Sequence, residues 1–290
     1  MPTLFGVATF ALGGLAFLPY LLSAAVRKQM PGGAGEHRVG SCVRRDPSGL
    51  LARLWYPLGG GAGAPDGSWL PQPEKTPALY LQAIGAFLNL PPRFAGWLLG
   101  PGLKSVRGAW LEQSEPGALP DNGGERFPIV VFSHGLGAFQ TVYSVLCCEL
   151  ASRGYVVIMP EHADASAAVT TFPDDSTPIY CERSSEARMN DPKTGAPDGG
   201  FAWRNGQIHQ RVGQVFTALG SLLSETSSDK THTWNAKLDA GNVTMAGHSF
   251  GGATTVAACA AAPPSSGGPA SIPAPLGFTG FRCGVVRLYT

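Results

Sequence analysis

Asn242-Val243-Thr244-Met245-Ala246-Gly247-His248-Ser249-Phe250-Gly251-Gly252-Ala253 is the stretch whose reading decides the fold. Residues 242–246 form a short apolar run that predicts a strand, and Ala253 to Ala262 is built of helix-prone residues. Between them stands Gly-x-Ser-x-Gly at 247–251. A serine hydroxyl is a weak nucleophile at neutral pH. A fold that uses one therefore holds it on a sharp strand-to-helix turn, where a base and backbone donors can reach it. Glycines on either side remove side chains that would block so strained a turn. A Gly/Ser-rich helix start without chemistry is the blander reading of the same residues. The strand before and the helix after favour Ser249 as a nucleophile.

Acyl transfer also needs donors for the developing oxyanion. Phe127-Pro128 leads into Ile129-Val130-Val131-Phe132, an unbroken apolar run of the kind buried on both faces of a sheet, and then turns through Ser133-His134-Gly135-Leu136-Gly137. That loop can offer the N–H of Leu136 as one donor, with the N–H of Phe250 as the other. His134, placed after a strand, is read as orienting backbone rather than as a base. Tyr143, Leu146, Cys147 and Leu150 recur at helical spacing, Gly154 closes the helix, and Tyr155 to Met159 is a second buried run. Strand, helix and strand at this spacing make a βαβ unit and a mainly parallel sheet.

Elsewhere, Val39 to Pro57 reads as a strand ending at a proline. A Gly/Pro loop spans 58–77, and an apolar, helix-prone stretch interrupted by Pro91-Pro92 spans 79–99 and could cover a pocket. Residues 162–200 are polar and turn-rich, an excursion of the kind that carries binding loops. Gln207 to Leu223 reads as a helix with Ile208, Val212, Val215, Phe216, Leu219 and Leu222 on one face, preceded by the unusual Trp203-Arg204-Asn205.

The 290 residues are 44% hydrophobic and 14% charged, which excludes general disorder, and a net charge of +1 gives no footprint for nucleic acid. Six cysteines without Cys-x-x-Cys spacing argue for buried free thiols rather than zinc or a disulfide scaffold. Residues 2–26 carry no charge and are long enough to cross a bilayer. Two readings of segment 1–28 stay open. Ser23-Ala24-Ala25 suits signal-peptidase cleavage, while the charges Arg27 and Lys28, lying after the run, suit a retained membrane anchor. Either makes the protein secreted or membrane-associated; it is cytoplasmic if the segment is a gene-model artefact.

Several motifs in one order carry a family resemblance: Leu54-Trp55-Tyr56-Pro57, Phe132 to Ala138, Glu149 to Tyr155, Pro160-Glu161-His162, Arg204-Asn205, His209-Gln210-Arg211, Gly247 to Thr254 and Phe281-Arg282-Cys283-Gly284. Over residues 37–286 the chain resembles the platelet-activating factor acetylhydrolases of the lipoprotein-associated and intracellular type II group. The resemblance implies an α/β-hydrolase fold and hydrolysis of the short sn-2 acyl group of platelet-activating factor and oxidised phospholipids, without calcium or any other cofactor. It implies Ser249 as nucleophile and Leu136 and Phe250 as the oxyanion hole, at a membrane or lipoprotein surface.

One part of the pattern fails. In α/β-hydrolases the acid and then the histidine follow the serine in the chain. From Phe250 to Thr290 there is no Asp, Glu or His; the last acid is Asp239 and the last histidine is His248, beside the nucleophile. Residues 281–286 resemble the family's next strand, and 287–290 do not. The expectation is a longer enzyme cut short by a splice variant, a gene-model error or truncation, with C-terminal strands missing, an unfinished sheet edge and poor solubility. His162, His209 or His232, with Asp164 or Glu161, are the upstream candidates for a substitute base, and the fold gives no reason to aim them at Ser249. Three readings result: a phospholipid-directed serine esterase, a truncated non-catalytic homologue that keeps lipid binding, or an esterase acting on a non-lipid ester or lactone.

Overall fold

Ile129, Val130, Val131 and Phe132 are all buried because alternate side chains of one strand enter two different cores. Ile129 and Val131 pack into a cluster with Val212, Val215, Leu219 and Ala258, whereas Val130 and Phe132 pack with Cys147, Cys148 and Ala151 on the opposite face. Helices therefore cover both sides of the sheet.

The computed structural model describes residues 29–59, 66–71, 77–112, 119–120, 122–173, 177–182, 184–224, 234–261 and 281–283. Segment 1–28, His232 and the tail 287–290 lie outside the described residues.

Strands β1 (Arg38–Arg45) and β2 (Leu51–Leu58) form an antiparallel hairpin. Helices α1 (Pro77–Phe87) and α2 (Pro92–Leu103) follow, then the short strand β3 (Leu111–Glu112). The βαβ unit consists of β4 (Phe127–Ser133), α3 (Ser144–Ser152) and β5 (Val156–Pro160). A small hairpin, β6 (Val169–Thr170) and β7 (Ile179–Tyr180), and a 3-10 turn at Glu186–Met189 precede α4 (Phe201–Ser224). The described chain continues with α5 (Trp234–Lys237), β8 (Leu238–Gly247), α6 (Phe250–Ala261) and β9 (Phe281–Cys283).

The main sheet has seven strands in the order β3-β1-β2-β5-β4-β8-β9. Pairs β5–β4, β4–β8 and β8–β9 are parallel, and β2 pairs antiparallel with β1 and β5. This is the expected α/β-hydrolase architecture, a mainly parallel sheet between helical layers.

Four local expectations need correction. The segment 39–57 is two strands, because Asp46 accepts hydrogen bonds from the N–H groups of Ser48 and Leu50 and caps a tight turn. Helix α4 begins at Phe201, so Trp203 and Arg204 stand in its first turn; Asp198 accepts from the N–H of Ala202 there and satisfies an orphan donor of the helix start. Strand β8 begins at Leu238, four residues before the apolar run, since its first part pairs with Phe127 and Pro128. Finally, Cys42, Cys147, Cys148 and Cys181 are free thiols, but Cys259 is disulfide-bonded. Spacing along a chain does not reveal which cysteines converge in space.

Candidate active site

Strand β8 ends at Gly247 and α6 starts at Phe250, so the chain reverses within two residues. Ser249 takes φ 53°, a left-handed conformation that is unfavourable for any residue with a Cβ. It is solvent-exposed, and among the described residues its hydroxyl has no hydrogen-bond partner. The two motif glycines are explained by close approach. A Cβ at Gly251 would collide with the carbonyl groups of Ser133 and His134, and one at Gly247 would collide with the Gly251 carbonyl and stand 2.7 Å from Thr255 Oγ1. The turn is thus packed directly onto the loop that follows β4.

That loop is fixed from beneath by buried histidines. His134 Nδ1–H donates to the Gly135 carbonyl at 2.8 Å, and its Nε2 accepts from the His162 N–H at 3.2 Å. His162 donates from Nδ1 to Gln214 Oε1 and accepts from the Ser133 hydroxyl at Nε2, both at 2.9 Å. Every ring nitrogen has one partner, so both histidines fit as neutral species. Burial, with the Arg211 guanidinium nearby, lowers His134 to about 3 and holds His162 well below the ordinary histidine range.

Arg211 and Asp164 form a fully buried ion pair at 3.0 Å. Arg211 also donates to the His134 carbonyl at 2.7 Å and to the Ser166 hydroxyl, and Gly137 N–H donates to the Ser166 carbonyl at 2.7 Å. With Gly135 N–H bound to the Tyr143 phenol and Gly137 N–H so committed, Leu136 N–H stands between them with no hydrogen-bond partner among the described residues. Phe250 N–H, at the start of α6, is likewise without one. An exposed hydroxyl on a strained turn and two uncommitted backbone donors on adjoining loops are what acyl transfer requires.

The upstream candidates for a base are placed elsewhere. His162 is sealed in the network above. Asp164 pairs with Arg211, and Glu161 is buried, accepting from the Tyr80 hydroxyl at 2.6 Å and from Gln140. Burial raises Glu161 to about 7, against those hydrogen bonds. His209 lies exposed on α4. None of these four contacts Ser249. Among the described residues no cluster of three or more His, Cys, Asp or Glu could hold a metal ion.

A cleft of about 540 Å³ opens beside Leu136 and Gly137, walled by Phe87 at the end of α1, by Tyr180, Cys181 and Glu182 of the 162–200 excursion, and by Arg204. The Phe87 ring lies so near Gly137 that a Cβ there would come within 3.0 Å. The 79–99 stretch, expected to cover a pocket, contributes Phe87 to this wall, and the turn-rich excursion 162–200 contributes Tyr180, Cys181 and Glu182. Sequence reasoning missed Tyr143 and Arg211 as supports of the loop, and neither carries a local signal of that role. Trp203-Arg204 did stand out by composition. Phe87, Leu88, Phe94 and Trp97 are exposed around the α1–α2 junction. Among the described residues no helix is long and apolar enough to cross a membrane.

Comparison with known proteins adds a family to this geometry. Residues 22–287 match the family described as platelet-activating factor acetylhydrolase, isoform II. The platelet-activating factor acetylhydrolase of Gallus gallus is 29% identical over 252 residues, covering 78% of this chain and 56% of that protein. The corresponding Canis lupus familiaris protein is 29% identical over 249 residues, covering 81% and 53%. The chain thus spans about half the length of these curated relatives. A solved ferulic acid esterase from Streptomyces cinnamoneus superposes with a TM-score of 0.50 at 22% identity, covering 80% of this chain and 58% of that one, a likeness of fold.

Proposed function

Since the chain belongs to the platelet-activating factor acetylhydrolase isoform II family, we propose that its site performs serine-esterase chemistry on a short acyl ester carried by a phospholipid. The observation that carries this reading is Ser249, held at φ 53° with an unengaged hydroxyl next to the uncommitted N–H of Phe250, on a turn packed against the loop that carries the uncommitted N–H of Leu136. Ser249 Oγ, exposed to solvent, attacks the ester carbonyl carbon while solvent water takes its proton and passes one on to the leaving oxygen. The carbonyl oxygen becomes an oxyanion held by the two N–H donors, and collapse of the adduct expels the lipid alcohol, which takes a proton, leaving an acyl-serine for water to hydrolyse. The substrate class follows the family resemblance: the sn-2 acetyl ester of platelet-activating factor and short-chain esters of oxidised phospholipids. The exposed aromatic group around Phe87 and Trp97 and the apolar segment 1–28 support action at a membrane or lipoprotein surface, with the protein secreted or membrane-associated.

A second reading, a lipid-binding homologue without turnover, is favoured by one specific observation. None of the described upstream candidates touches Ser249: His162 is bound to Ser133 and Gln214, Asp164 to Arg211 and Glu161 to Tyr80, and His209 lies exposed on α4. A fluorophosphonate probe together with an acetyl-ester turnover assay separates the two. The esterase reading expects labelling that is lost in Ser249→Ala and turnover lost with it. Labelling without turnover, or no labelling, supports the second.

A further inference from the structure

Two guanidinium groups and one carboxylate meet at the rim of the cleft. Arg188 binds Glu182 through both carboxylate oxygens, at 2.8 and 3.1 Å from Nη2, with a third contact at 3.0 Å from Nε. That geometry commits Glu182 to Arg188. Arg204, on the cleft wall, is ion-paired to no carboxylate among the described residues. Its guanidinium lies 3.7 Å above the Trp203 ring and 5.7 Å from the Phe250 ring, and one N–H donates to Gln207 Oε1 at 2.7 Å. The other acid that acts on it electrostatically, Asp164, is buried against Arg211. Among the described residues the cleft therefore holds one half-buried positive charge in excess, with its plane fixed by an indole and most of its donors unused.

Position makes this charge useful. Arg204 shares the cleft with Leu136 and lies 5.7 Å from the ring of Phe250, the two residues whose uncommitted N–H groups are the proposed oxyanion donors. The remaining wall is largely apolar: Ala83, Phe87, Leu136 and Ala168. An apolar cleft with one oriented arginine beside an acyl-transfer site fits an ester that carries an anion next to its hydrocarbon, and a planar guanidinium suits the two free oxygens of a phosphodiester. We propose that Arg204 is the anion subsite of this cleft and selects esters bearing a phosphodiester group over neutral esters of the same acyl length. The proposal rests on the esterase reading for its ester and on the cleft itself for its anion.

The test is equilibrium binding to the unaltered chain, to Arg204→Gln and to Arg204→Lys. The ligands are dibutyroylphosphatidylcholine below its micellar concentration, dibutyroylglycerol, and glycerophosphocholine. A charge-assisted contact predicts that Arg204→Gln weakens the phosphodiester ester by about tenfold or more. Arg204→Lys falls between, and dibutyroylglycerol is bound equally by all three proteins, which also shows that the variants fold. Equal loss for both esters, or no loss for either, overturns the proposal. Glycerophosphocholine bound as tightly as the ester overturns it too, because Arg204 would then serve a free headgroup. Fluorophosphonate labelling of the unaltered chain separates the two levels. If Ser249 labels but binding ignores Arg204, the subsite falls and the esterase reading stands. If Ser249 does not label while binding depends on Arg204, the subsite stands alone.

Discussion

The phenolic oxygen of Tyr143 lies 2.8 Å from Nδ1 of His248 and 3.2 Å from the backbone nitrogen of Gly135. One side chain at the start of α3 thus accepts from the loop after β4 and donates to the turn after β8. Those two segments carry the uncommitted N–H groups of Leu136 and Phe250. A Cβ at Gly135 would stand 2.9 Å from the phenol oxygen and 3.3 Å from His248 Nδ1, so glycine there makes the bridge possible.

Tyr143→Phe removes the bridge and keeps the ring, which packs against Phe132 at 5.0 Å between centroids. Stability should fall by only about 1 kcal/mol, the usual net worth of one hydrogen bond. The fluorophosphonate labelling rate of Ser249 should fall more, roughly tenfold, because the N–H groups of Leu136 and Phe250, the proposed oxyanion donors, lose their shared tether. Reversible binding of a short-chain phospholipid ester should change little. A labelling rate that tracks stability alone would assign Tyr143 to packing.

Ser249 stands at φ 53°, where a side chain costs energy that glycine does not incur. Ser249→Gly and Ser249→Ala both remove the hydroxyl and should abolish labelling. Ala retains the strain and Gly relieves it, so the glycine variant should be more stable than the alanine variant by about 1 kcal/mol. Urea midpoints at a common slope check this. Equal midpoints would mean that the turn is not strained at this residue.

This turn was legible in the sequence because strand, Gly-x-Ser-x-Gly and helix are all local patterns, and so was the loop that carries Leu136, which follows a buried run. The supports were not. Arg211 falls on the buried side of α4, beside Val212 and Val215, where periodicity alone expects an apolar residue. Its role depends on Asp164, 47 positions away, reaching it through a turn. Glu161, Gln140 and Arg53 likewise form a chain inside the protein, Glu161 accepting from Gln140 and Arg53 donating to Gln140 at 2.8 Å. Arg53 lies on β2, whose eight residues are all buried although their pattern alternates. Polar partners that meet across elements leave no periodic trace in any one of them.

Glu161 and the buried histidines pull stability in opposite directions with pH. Glu161 is raised to about 7 from an ordinary value near 4.5, so the folded state holds its proton longer than the unfolded state does. Its stabilising contribution is complete below about pH 4.5 and is lost as pH rises through 7, by on the order of 3 kcal/mol. His134 is lowered to about 3, and His162 is lowered as well. Their contribution is present above pH 6.5 and is lost as pH falls. Raw stability curves mix the two trends, so the comparison is between the unaltered chain and Glu161→Gln. Their difference should change steadily from pH 4.5 to 7, with the variant gaining relative to the unaltered chain as pH rises. A constant offset would show that Glu161 does not titrate in that window.

The Asp164–Arg211 pair is fully buried, and Arg211 Nη1 holds the His134 carbonyl while the Ser166 carbonyl holds Gly137 N–H. Deleting one partner of such a pair leaves a charge without solvent or counterion, so Arg211→Met or Asp164→Asn alone should cost about 3 to 5 kcal/mol. The double variant leaves no unpaired full charge and should cost clearly less than the sum of the two, a positive coupling measurable in a double-mutant cycle by denaturant unfolding. Stability and chemistry should nevertheless separate in the double variant. Its Leu136 loop has lost the Arg211 contact to the His134 carbonyl, so Ser249 labelling should remain slow even where folding is largely recovered. Additive stability losses would show that the pair is not the interaction that holds this loop. Labelling restored together with stability would show that the loop does not need it.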